Sequence, residues 1–310
     1  MARSVLIGFA DAAAGYVAAG LLRLLRLFPR RGSANVVAAA SRRIGPWLKE
    51  HRIGRANLKA AYPEKSNAEI ETILAGVWDN LGRVVGEFAH LDRIRTSPPD
   101  DPAPSDVEYD EASLARFMAL VKSGGPTLVF AAHLGNWELA AQIAHRFGLQ
   151  TSVLYRRPNL GAVADAVTRI RSDSMGELIP TGLVAPVRLA KALEAGRHVA
   201  MLVDQYYVRG VDVTFFGQHT RANPLIARLA RQLECPIRGA RIVRLPGGRF
   251  RAELTDEIPP VRDAEGLIDI AGTMQAITDV IEGWVREHPD QWLWLHRRWR
   301  PDDVPFTPRA

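Results

Sequence analysis

The sequence predicts an α/β fold built on a mostly parallel central sheet flanked by helices. Three observations carry this. Short apolar runs of strand length alternate with segments of helical periodicity over roughly residues 111–287. Caps and glycines punctuate the helical segments, as at Ser66 with Glu69, Gly124–Gly125, Gly148 and Gly196. Polar residues also stand where apolar runs end: His133, Tyr155–Arg156 and Asp204–Gln205. Strand carboxyl ends are where open α/β sheets gather their sites.

The chain has 310 residues, 47% of them hydrophobic and 24% charged, which suits a globular protein with a substantial core. Its one cysteine, Cys235, excludes an internal disulfide framework and any multi-cysteine metal site. Cys235 precedes Pro236 in an apolar stretch and reads as a core residue. The net charge of +6 is unevenly spread. Residues 1–60 hold eleven Lys/Arg against Asp11 and Glu50, a balance of +9, whereas 61–120 hold five against twelve acids, a balance of −7. A basic end beside an apolar segment points to a membrane surface before nucleic acid.

Val5 to Leu22 is nearly all apolar, broken by Asp11 and followed by Arg23, Arg26, Arg30 and Arg31. About 20 apolar residues are needed to cross a bilayer. Three readings stand open here: a single span with the arginines on the cytoplasmic side, an amphipathic helix lying in the interface, or a buried helix. Residues 1–30 are accordingly taken as a membrane-associated segment, and 31–310 as the main domain.

Ser66-Asn67-Ala68-Glu69 matches a capping box. The helix it starts carries an apolar stripe from Ile70 to Leu91, and Glu87 within it reads as solvated. Thr96 to Asp110 is rich in Pro and Asp and reads as a loop, and Glu111 to Lys122 as a helix. Strands are expected at 127–132, 150–155, 178–180, 198–203 and 211–216, and a hairpin at 237–244 and 249–254 around Pro246-Gly247-Gly248. Helices are expected from Asn136 to Phe147 with Asn136 as N-cap, and at 159–175, 185–194, 224–233 and 268–287. There is no internal repeat, phosphate-binding glycine loop or zinc spacing.

The junction after residue 132 matters for chemistry. It puts His133 at the end of a buried strand and Glu138 in the first turn of the next helix. A neutral imidazole can take a proton from a hydroxyl, and a carboxylate folded back onto it can fix its tautomer and stabilise its charged form. The open helix N-terminus nearby offers oxyanion stabilisation. The plainer reading is a turn with a surface histidine and a glutamate that favours the helix dipole.

The segments HLGNWE at 133–138, YRRPN at 155–159, RIRSDSMG at 169–176, LAKALEAG at 189–196, DQ at 204–205, FFG at 215–217 and PDQWLWLHRRWR at 289–300 occur in one order. Together they resemble the bacterial lipid A late acyltransferases, the lauroyl and myristoyl transferases, over nearly the whole chain. That resemblance implies a glycerolipid-acyltransferase-like fold at the cytoplasmic face of the inner membrane. It implies transfer of a fatty acyl group from acyl carrier protein to a hydroxyl of a lipid A precursor, with no metal and no other cofactor. It maps His133 and Glu138 onto the family's H-x4-D/E dyad.

Arg156, Arg169, Arg171 and Arg221 are then candidates for phosphate contacts, Arg171 foremost, each with solvation or a structural ion pair as the alternative. Asp204 and Gln205 are expected to shape the pocket or orient Arg171, or simply to turn the chain. GQHTRANP at 217–224 departs from the threonine-rich stretch of many relatives. Trp292, Trp294 and Trp299, with Arg297, Arg298 and Arg300, suit either core packing or a membrane interface. Competing functions are an acyltransferase for another glycolipid, such as a phosphatidylinositol mannoside, and a non-catalytic membrane lipid-binding protein. No aromatic-basic recognition motif supports a nucleic-acid partner.

Overall fold

The computed structural model describes residues 16–17, 20–97, 104–157, 161–172 and 174–300. Most of the apolar segment 5–22 lies outside these. Among the described residues no helix is long and apolar enough to cross a membrane.

Seven strands form one sheet: β1 (Val107–Tyr109), β2 (Leu128–Ala131), β3 (Thr151–Tyr155), β4 (Glu177–Pro180), β5 (His198–Leu202), β8 (Ile237–Leu245) and β9 (Arg249–Glu257). Their spatial order is β1-β9-β8-β2-β5-β3-β4. Every neighbouring pair is parallel except β8–β9, which the Pro246–Gly248 turn folds into an antiparallel hairpin. Helices α4 (Glu111–Ser123), α5 (Glu138–Arg146), α6 (Gly161–Ser172), α7 (Ala185–Glu194) and α8 (Leu225–Leu233) connect the strands, and α9 (Ile270–Glu287) follows the hairpin.

Alternation along β2 assigns the two faces of the sheet. Leu128 and Phe130 join the layer of α7, α8 and α9, whereas Val129 packs with α4 and α5. Several expected helices begin or end where their punctuation lies. Asp110 caps α4 by accepting from the Ser113 amide, and Gly124 closes that helix at φ +64°. Cys235 is buried and unpaired, as its apolar setting implies.

Before the sheet come α1 (Arg30–Ile44), α2 (Lys49–Ala61) and α3 (Asn67–Phe88). The capping box at Ser66 and Glu69 forms in full. A side chain at Gly82 would meet the Cα of Ala38 at 2.6 Å, so glycine there lets α1 and α3 cross closely. Small buried Ser33, Ala34 and Ala38 form the other side of that contact.

One expectation needs correction, one strand had no expectation attached to it, and one open choice is decided. Part of the predicted loop before Glu111 is β1, which pairs with β9 through Val107 to Tyr109. The polar run Gln218–Ala222 is a strand, β7, paired antiparallel with β6 (Val211–Phe215) outside the main sheet. Phe216 and Gly217 both take positive φ to make its two-residue turn. Finally, Trp292 and Trp294 are fully buried, in edge-on or tilted contact with Phe215, Phe216 and each other, so core packing holds for them and a membrane interface does not.

Candidate active site

His133 follows β2 and Asp204 follows β5, and those strands are sheet neighbours in parallel register, with Ala131 opposite Leu202. Two residues further along each strand the side chains meet. His133 Nδ1 lies 2.8 Å from Asp204 Oδ1. The His133 backbone N–H donates to Asp204 Oδ2 at 2.8 Å, and Trp292 Nε1 donates to the same oxygen at 2.8 Å. Asp204 therefore grips the histidine by both ring and backbone.

The carboxylate is buried, while the imidazole keeps some exposure. Burial alone would raise the Asp204 carboxyl, but the charge and hydrogen bonds of His133 overcome it and hold it well below the usual carboxylate range. An ionised carboxylate only accepts, so the Nδ1 facing it carries the hydrogen and the Nε2 lone pair is left for chemistry. Gln205 places its amide nitrogen 3.5 Å from that Nε2, beyond a good hydrogen bond. The Trp137 ring stands edge-on to the imidazole at 5.2 Å.

The structure corrects the expected partner of the imidazole. The Glu138 carboxylate is also buried, but it receives Arg171 in a fork, Nε at 2.8 Å and Nη2 at 2.5 Å, and Trp137 Nε1 at 3.1 Å. Glu138 starts α5, whose first turn has no side-chain cap. Pairing of the two carboxylates is thus divided: Asp204 holds His133, and Glu138 holds Arg171. Asp204 does not orient Arg171. The guanidinium also faces the rings of Phe88 and Tyr155, at 5.6 and 6.0 Å.

Asn136 does not cap α5 either. Its Nδ2 donates to Glu87 Oε2 at 2.8 Å. Glu87, expected in solvent, is 2% exposed and receives both Nη atoms of Arg244, at 2.6 and 2.9 Å. Asn80 Nδ2 donates to the Gly135 carbonyl, and Gly135 has φ +58°. A Cβ there would fall 1.8 Å from the Ile242 carbonyl oxygen, so only glycine fits. This network behind residues 134–136 fixes the turn that presents His133.

The remaining candidates are spread out. Arg156 and Arg169 are exposed. Arg221 lies on β7, where its Nε pairs with Asp212 at 3.2 Å and its carbonyl accepts from buried Arg298. Trp292 and His296 also belong to the site, although neither stands at a predicted strand end. His296 stands beside Trp292, with ring centroids 5.6 Å apart. Burial, ahead of attraction by Asp204 and repulsion by His133, pulls its imidazole down to about 4. The aromatic-basic tail was visible in the sequence, but nothing in it showed that the tail runs beneath the strand ends.

Comparison with curated proteins finds no match to this chain. The profile of the bacterial lipid A biosynthesis acyltransferases matches residues 9–301. That match spans every strand of the sheet and all the residues of the His133 site, and the chain belongs to the bacterial lipid A biosynthesis acyltransferase family.

Proposed function

We propose that this acyltransferase moves a fatty acyl chain from acyl carrier protein to a hydroxyl of a lipid A precursor, with His133 as general base. The observation that carries the mechanism is the His133–Asp204 pair at adjacent strand ends. Asp204 fixes Nδ1–H, so Nε2 takes the proton of the acceptor hydroxyl as its oxygen attacks the thioester carbonyl. The carbon–oxygen bond forms and the carbon–sulfur bond breaks. The thiolate leaves and recovers the proton from the imidazolium, so ester and thiol are the products. No acyl-enzyme is needed, and no cofactor beyond the carrier-bound acyl group. Buried Cys235, its thiol pushed up by burial, is not a nucleophile in this scheme.

The uncapped first turn of α5 opens five residues after His133, which favours stabilisation of the tetrahedral oxyanion there. Glu138 and Arg171, locked together, act as a positioning pair at the site's margin and leave part of the guanidinium for a substrate phosphate or carbonyl.

The site of reaction proposed for it is the cytoplasmic face of the inner membrane, and exposed apolar residues support that reading. Leu24, Leu27, Phe28, Ile44 and Trp47 are exposed, Trp47 by 79%. Arg43, Lys49 and Arg52, also exposed, neighbour Ile44 and Trp47 in sequence, as suits an anionic bilayer.

The test is acyl transfer by the purified protein in detergent, given lauroyl, myristoyl and longer acyl carrier proteins and a tetra-acylated lipid A precursor. His133→Ala should lower kcat by about 10²–10⁴. Undiminished transfer by that variant overturns the base assignment. Transfer to another glycolipid in place of lipid A precursor keeps the chemistry and changes the acceptor.

A further inference from the structure

A cleft of about 640 Å³ opens between α1, α3 and the β8–β9 turn. Its size suits a small ligand or a headgroup. Neither His133 nor Asp204 lines it. Five arginines face three carboxylates there: Arg30, Arg31, Arg42, Arg83 and Arg244 against Asp79, Glu87 and Asp290, a formal excess of two positive charges.

The pairing within this set is incomplete. Arg244 is spent on Glu87. Arg42 and Arg83 share one carboxylate, Asp79, at 3.0 and 2.5 Å. Arg30 gives one Nη to Asp106 at 2.6 Å, while its other, Nη1, is buried with no hydrogen-bond partner. A buried N–H left without an acceptor is costly and calls for one. Arg31 forms no ion pair among the described residues. Arg31, Asn35 and Arg42 recur at spacings of four and seven, so α1 presents them on one stripe.

An anion with several free oxygens fits these donors. A phosphate monoester has three, enough for two guanidinium groups at once. Exposed apolar residues adjoin the cleft's arginines in sequence, which points to an amphiphile. Leu24, Leu27 and Phe28 are exposed just before α1, and Val36, next to Asn35, is exposed on it. We propose that this cleft binds the phosphate monoester headgroup of a membrane lipid. Arg31 and Arg42 take its oxygens, and Arg30 Nη1 gains its missing acceptor. The lipid's tails lie along the apolar residues at the start of α1. The inference goes beyond acyl transfer and is measured without turnover, so either can fail while the other stands.

The experiment is flotation of the full chain with phosphatidylcholine vesicles containing phosphatidic acid or, at matched surface charge, phosphatidylglycerol. The first offers a monoester and the second a diester. Wild type should bind the phosphatidic acid vesicles about tenfold more tightly. The Arg31→Ala/Arg42→Ala variant should lose that preference. Both residues are exposed, so the fold should survive, which circular dichroism checks. An Arg43→Ala/Arg52→Ala control, exposed and outside the cleft, should weaken binding to both vesicles and keep the preference. Equal binding of the two vesicles by wild type overturns the proposal, and so does a preference that outlasts Arg31→Ala/Arg42→Ala. Displacement from the vesicles by millimolar inorganic phosphate marks a soluble-anion site and overturns the lipid assignment.

Discussion

At the scale of the residue, the two carboxylates have separate tasks. Asp204 fixes the histidine, and Glu138 fixes the arginine. Glu138 and Arg171 should therefore behave as one unit. In a double-mutant cycle on kcat/KM, Glu138→Gln and Arg171→Ala should each lower activity, and the double variant should be little worse than the more damaged single. Additive losses would mean that the two act on different groups. The histidines also set the acid stability of the fold. His296 is held neutral down to about 4, whereas an unfolded histidine titrates near 6.5. Between these values the unfolded chain binds more protons, so stability falls as pH drops from about 6.5 to about 4. Asp204, held below its normal range, adds a further loss at still lower pH. Urea unfolding at stepped pH should show a slope smaller by about one proton in His296→Gln within the first window.

At the scale of the element, the turn between β2 and α5 is held from behind by α3. Glu87 and Asn80 of α3 reach Arg244 of β8, the Gly135 carbonyl and Asn136. The salt bridge is buried, so removing one partner strands a charge. Arg244→Ala should cost about 3–5 kcal/mol in urea unfolding. A loss near zero would show that α3 does not brace the turn. Helix signals were legible in this region because caps and stripes are local: Ser66 and Gly124 each mark a boundary that the structure uses, whereas the cap at Asp269 was hidden behind the apolar Ile268 before it. The short strands were less so. Three residues in β1 and the polar run of β7 carry no periodicity of their own, and they become strands only because β9 and β6 offer partners.

At the scale of the whole molecule, the sheet order makes the site. β2 and β5 are separated by more than 60 residues in sequence and lie side by side, which brings Asp204 to His133. The sequence showed both residues at strand ends, so the crevice could be read. Which carboxylate reaches the imidazole could not, because five residues of spacing put Glu138 close along the chain while strand pairing put Asp204 close in space. Burial of Glu87 was hidden for the same reason, since its partner Arg244 is 157 positions away. The arginine-rich N-terminal third also acquires form only in the fold, as α1 and α3 cross and line one cleft with β8.

Catalysis by His133 depends on Asp204, and the direct measurement is kcat and KM for acyl transfer by Asp204→Asn. Asparagine keeps the volume and removes the charge that sets the tautomer. kcat should fall by about 10²–10⁴ with KM little changed, and a His133→Ala/Asp204→Asn variant should be no slower than His133→Ala alone. A variant that turns over at the wild-type rate would show that the imidazole does its work without this carboxylate.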